Sequence, residues 1–81
     1  MDQDAVSVDF VKTEFETGIT FADLALSAKY ADKLERNRAN ARKAHDTALK
    51  FWSKLTPEDA AELDAILKRL RSKLRDLGES V

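Results

Sequence analysis

Breakers are nearly absent from this chain, and their scarcity limits what it can fold into. Its 81 residues include one proline, Pro57, and two glycines, Gly18 and Gly78, while Ala, Leu, Lys, Arg and Glu are abundant. That composition favours helix, and few helices of considerable length. The clearest start signal is Thr56-Pro57-Glu58-Asp59. Thr serves as N-cap, Pro takes the first helical position where its missing N–H does no harm, and acids occupy the first turn. From there Ala60, Leu63, Leu67, Leu70, Leu74 and Leu77 recur at three and four residues, with Ile66 beside them. Gly78 then supplies the residue past the helix end. Acids lead (Glu58, Asp59, Glu62, Asp64) and bases follow (Lys68, Arg69, Arg71, Lys73, Arg75), in the order that complements the helix dipole. This predicts a helix over residues 57–77.

Upstream, Ser7 is placed as an N-cap, and Val6 and Val11 have the spacing of a hydrophobic staple. A helix over about 8–30 follows, with Val11, Phe15, Gly18, Ile19, Ala22, Ala25, Leu26 and Tyr30 on one stripe. Gly18 costs about 1 kcal/mol against Ala inside a helix, yet the stripe passes through it in register. We read it as a close helix–helix contact, the alternative being a break at Thr17–Gly18. A second apolar line, Phe10, Phe21, Leu24 and Ala28, lies roughly 120° around the wheel and widens the apolar arc to about 240°, interrupted by Glu14, Thr17 and Lys29. A helix with so wide an arc either sits between two neighbours or meets another chain.

The middle segment, DKLERNRANARKAHDTALKFWSKL, predicts a helix over 33–55. Asp32 and Glu35 have the spacing of a capping box, so the connection before it is very short and its neighbour antiparallel; a bent continuous helix is the alternative. Leu34, Ala41, Ala44, Ala48, Trp52 and Leu55 share a face flanked by Leu49 and Phe51. The small alanines admit other backbones closely, and the segment reads as a packing spine.

The expected fold is therefore all-α: a three-helix, up-down-up antiparallel bundle forming one domain over 1–81, with 1–6 and 79–81 frayed. The expected core is Val11, Phe15, Ile19, Ala22, Leu26, Leu34, Ala41, Ala48, Trp52, Leu55, Leu63, Leu67, Leu70 and Leu74. So short a chain buries only about 60% of its unfolded surface. It has no cysteine, which excludes disulfides and thiolate metal sites. Oligomerisation is the remaining support. A homodimer is expected through Phe10, Phe21, Leu24 and Ala28, since an exposed patch of that kind is a liability on a monomer.

The side chains offer little chemistry. One histidine, no Asp-rich loop containing Gly and no Gly-rich phosphate loop leave no metal or cofactor site. Glu14 and Glu16 point to different helix faces, and no serine has a histidine in a sensible triad arrangement. No enzyme activity, catalytic residue or cofactor is expected. Fourteen basic against 15 acidic side chains, a net of −1, give no long-range pull toward nucleic acid or an anionic membrane. There is no run of 18 apolar residues and the start is acidic, so neither a membrane span nor a signal peptide is expected, and the location is taken as cytoplasmic.

Two clusters nevertheless ask to be weighed. Arg36, Arg38, Arg42 and Lys43, joined by Lys68, Arg71 and Arg75, would form a basic patch for nucleic acid or an acidic partner. The run ERNRANARK resembles part of the basic region of basic-zipper proteins, but no leucine heptad follows. Glu35, Asp46 and Asp76 interleave the bases, and aromatic stacking residues are missing. His45 lies near Trp52 and Leu49 on the wheel, which predicts partial burial and pH sensitivity. A histidine phosphotransfer helix would carry Lys three residues on with Gly right after it, where this chain has Ala48 and no Gly until Gly78. The leading expectation is a non-enzymatic helical interaction module that self-associates, ahead of binding through the basic faces.

Overall fold

The structure, a computed structural model, describes residues 8–81. Its elements are α1 (Val8–Leu26), α2 (Ala31–Lys50), a 3-10 turn (Trp52–Lys54) and α3 (Pro57–Asp76). Together they form the expected all-α three-helix bundle. Phe10 meets Phe51 and Gly18 meets Ala44, so α1 and α2 are antiparallel. Gly18 also meets Leu70, and Asp23 meets Lys73, so α3 returns alongside α1 in the same direction. The expected cap at Ser7, the staple from Val6 and the expected fraying of 1–6 fall outside the described residues.

α1, rather than the middle segment, is the spine. It packs extensively on α2 and also on α3, whereas α2 and α3 approach each other little. Its wide apolar arc is what allows this. Val11, Phe15, Gly18, Ile19, Ala22 and Ala25 are buried along it. Gly18 does not break the helix. A Cβ built there would lie 2.9 and 3.2 Å from the two methyls of Leu70 and 3.4 Å from Ala44 Cβ. The absent side chain is what lets all three helices meet at one level.

Three boundaries differ from expectation. α1 ends at Leu26, not near residue 30: Ser27 and Ala28 close the last turn onto Asp23 and Ala25, and Tyr30 is extended. Tyr30 then stands as N-cap of α2 with no side-chain bond, two residues ahead of the expected start. Asp32 thus lies inside the first turn, where it acts by charge on the helix dipole and not as a cap. α2 stops at Lys50, and the 3-10 turn re-aims the aromatic residues after it. Trp52 reaches Phe15 at 6.0 Å between ring centroids, and Phe51 meets Phe10 edge-on at 5.4 Å. A continued α-helix would advance ~100° per residue in place of the ~120° of a 3-10 turn and so change that aim.

α3 keeps its expected limits within a residue. Thr56 accepts a hydrogen bond from Asp59 N–H at 3.1 Å. At the far end Gly78 has φ +90°, with Gly78 N–H bonded to Arg75 O and Glu79 N–H to Leu74 O, both at 2.9 Å. That is a Schellman turn, which requires the left-handed conformation glycine adopts freely. The segment beyond it folds back along the helix: Arg75 Nε donates to Val81 O at 2.8 Å, and Val81 packs on the core.

Most of the expected core is buried, with Leu63, Leu67, Leu70 and Leu74 from α3 facing Val11, Phe15 and Ile19. Leu26 is the exception. At 45% exposure it falls in the last turn of α1, where the helix ends and Ala25 takes the interior position. Leu34, Trp52 and Leu55 are half-buried at the rim. Ala25, Ala44 and Leu77 complete the interior. Two substitutions probe this packing by urea denaturation. Gly18→Val should lose about 2 kcal/mol or more through overpacking against Leu70. Phe15→Ala should lose about 3–5 kcal/mol by opening a cavity under Trp52.

Candidate functional site

The second apolar line of α1 does not form one free surface. Phe10, although 43% exposed, is held edge-on by Phe51. Phe21 is half-buried, packs on the core, and lies in a groove between α1 and α2 with Thr17, Asn40 and Thr47. The α1–α2 corner differs. Leu24 is 49% exposed and lines an open groove of about 310 Å³ with Ala28, Tyr30, Lys33 and Asn37. Tyr30 is 67% exposed, and Leu26 lies at the same end of α1. Leu26 and Tyr30 belong to the main stripe in sequence, so pattern reading assigns them inward. Their exposure follows from the early end of α1, which no Gly or Pro announces.

The basic residues prove to be mostly engaged within the chain. Arg36 is 4.0 Å from Asp32, and Lys68 is 2.8 Å from Asp64 on the same helical face. Arg75 is turned to Val81 O. Arg71 Nε donates to His45 Nε2 at 3.2 Å, joining α3 to α2. Arg38 reaches Glu35 at 2.6 Å, Glu79 at 3.5 Å and Leu77 O at 3.3 Å. Arg42 holds Asp46 at 3.0 Å and Glu79 at 3.0 Å. Lys43 shows no ion pair among the described residues and lines an open groove of about 500 Å³ with Arg38, Arg42, Lys50 and Glu79. The Arg36–Lys43 run and the α3 bases therefore do not merge into one open positive face. Instead they build a chain of bonds across the α2–α3 seam: Arg71, His45, Asp46, Arg42, Glu79, Arg38 and Glu35.

His45 is the buried centre of that chain, 2% exposed. Its Nδ1 is 2.9 Å from Asp46 Oδ1, while Nε2 faces Arg71 Nε. A guanidinium only donates, so Nε2 accepts and Nδ1 carries the hydrogen given to Asp46. Both nitrogens are satisfied, and neither faces solvent as a phosphoacceptor's must. No buried side-chain nitrogen or oxygen among the described residues lacks a partner, and no group of three metal-ligating side chains occurs among them. No helix among the described residues is long and apolar enough to cross a membrane.

Charge and burial act oppositely on Asp46. Burial disfavours its ionised form and is the largest single influence. Hydrogen bonds from His45 and Arg42, with the positive charge of Arg42, outweigh it and hold the carboxyl below its ordinary range. Hydrogen bonds to Asp46 and Glu79 likewise raise the Arg42 guanidinium above its usual value.

Comparison of the chain with protein families, with curated proteins and with solved structures finds no match.

The Asp46 environment has a consequence for acid stability. A carboxyl whose folded value is depressed contributes stability that is complete above its unfolded value, and this is lost as pH falls through the folded one. Urea unfolding should therefore show Asp46→Asn less stable than the parent chain near neutral pH. The gap should close as pH drops below 3.8, the ordinary value. The half-exposed carboxylate keeps this effect modest.

Proposed function

We propose that this chain is a cytoplasmic, non-enzymatic helical interaction module that self-associates through α1, with the α1–α2 corner at the centre of the contact. The observation that carries this reading is the exposure of Leu24, Leu26 and Tyr30 at one end of a bundle whose other large apolar side chains among the described residues, Phe10 apart, are buried or only partly exposed. An 81-residue chain with thin stability margins gains from covering such a corner. A specific interface covers about 800 Å² per partner, more than the corner supplies. The contact must therefore run back along α1 toward Phe10, over the rim of Phe21 and beside Ala28. The cytoplasmic assignment rests on the cysteine-free composition.

Binding of nucleic acid or an extended acidic surface through the basic faces is the weaker reading. Arg36, Arg38, Arg42, Lys68, Arg71 and Arg75 all have partners within the chain.

Sedimentation velocity over a concentration series tests self-association. The parent chain should show a concentration-dependent dimer. Leu24→Glu should shift it to monomer with its helix content unchanged, because Leu24 is exposed and the substitution leaves the core intact. Phe21→Asp is a poorer probe, since Phe21 packs on the core and its loss perturbs folding as well. A parent chain that stays monomeric at every concentration would remove the proposal.

A further inference from the structure

Among the cations of the α2–α3 seam, Arg38 and Arg42 are unusual in what neutralises them. Both stand one turn apart on α2, and both reach the carboxylate of Glu79, Arg42 at 3.0 Å and Arg38 at 3.5 Å. Other pairs on this surface join helix to helix or lie within one helix. Glu79 lies beyond α3, on the far side of the Schellman turn. Its backbone is fixed by the Glu79 N–H to Leu74 O bond, but its side chain can swing away by rotation alone. No helix, and no backbone hydrogen bond, has to break for the carboxylate to leave.

The space it would vacate belongs to the open groove of about 500 Å³ on α2. Lys43 and Lys50 line the same groove and show no ion pair among the described residues. They lie two turns apart, and the groove runs from Glu35 to Lys50, about 22 Å along a helix axis. A groove of that length and openness suits an extended segment better than a compact small anion. Arginine favours carboxylate through paired, directional hydrogen bonds.

We infer that Arg38 and Arg42 form a docking site for an acidic peptide segment, and that Glu79 occupies it as an internal stand-in for the partner's carboxylate. A partner's Asp or Glu takes the place of the Glu79 side chain between the two guanidiniums, while further acids reach Lys43 and Lys50. The Glu79 side chain is 20% exposed and its partners Arg38 and Arg42 are 32% and 36% exposed, so these pairs are partly covered; the internal carboxylate is displaceable because a partner carboxylate offers the two guanidiniums the same bonds. Being tethered, it competes at a high effective concentration and holds the resting affinity down. The site is thus self-inhibited. It differs from the apolar α1–α2 corner in both position and chemistry, and it does not depend on self-association.

The test is fluorescence anisotropy with a labelled octaglutamate peptide at low salt, on the full chain. Glu79→Gln should tighten binding by about threefold or more, because the internal competitor is neutralised. Arg42→Gln should weaken it by about tenfold relative to Glu79→Gln, and Lys68→Gln, paired elsewhere with Asp64, should leave it unchanged. Circular dichroism on each variant confirms that the fold is retained. A purely structural Glu79 clasp predicts the opposite: unchanged or weaker binding in Glu79→Gln, which would overturn the inference. Failure of the peptide to bind the Glu79→Gln chain at all would overturn it as well. So would tighter binding of pyrophosphate or single-stranded DNA than of the peptide to that variant, since the occupant would then be a phosphate.

Discussion

The bundle turns on the missing side chain at Gly18. The methyls of Leu70 from α3 crowd the place where a Cβ would be, and Ala44 from α2 stands at van der Waals contact with it. One residue of α1 therefore sets its spacing to both neighbours at the same level. Helix packing distances depend on the side chains at the crossing, and here the crossing residues are Gly, Ala and Leu. Above and below that level the spacing is filled by larger groups, Phe15 toward Trp52 at one end and Leu74 and Leu77 toward the other. A helix-destabilising residue is retained in mid-helix because close approach at one point permits dense packing along the rest.

From that arrangement follows a division of labour among the three contacts. α1 meets both partners through apolar surface, while α2 and α3 approach each other little. α2 has too few large apolar residues to do otherwise: its buried positions are Ala41, Ala44, His45 and Ala48. The α2–α3 seam is closed instead by polar groups centred on His45, with Arg71 on one side and Asp46 on the other. Such a seam contributes less net stability than an apolar one of equal area, because each group exchanges water for protein partners. It does demand one register, since shifting either helix by a turn would part Arg71 from His45 and Glu79 from Arg42.

The legible parts of this fold were those decided locally. Thr56 and Pro57 start α3 through a side-chain cap and a missing N–H, and Gly78 ends it through a positive φ; each depends on residue type within a few positions. Gly18 was legible as a contact because the stripe kept its register through it. The α1–α2 corner was not, because Tyr30 caps α2 with backbone alone and leaves no side-chain signature. A pattern that places that corner later assigns Leu26 to the core. The end of α2 departs from the local pattern because tertiary contacts of Phe51 and Trp52 with α1 outweigh their tolerance of a continued helix. Glu79 was out of reach for another reason: its partner Arg42 is 37 residues away. No periodicity within a single element points to such a pair.

The same seam also places anions beside most of the bases in the run Arg36–Lys43. Along the bonded chain, Arg71, Arg42 and Arg38 alternate with Asp46, Glu79 and Glu35. Alternating charges a few ångströms apart cancel within about one Debye length, some 8–10 Å at ordinary salt, so a polyanion at a distance finds no positive face to follow. Contact is different from distance. At Arg38 and Arg42 an incoming acid loses nothing to cancellation if it replaces the anion already there, because it inherits that anion's cations. The local geometry of the seam, more than the net charge of the chain, therefore governs what it can recognise.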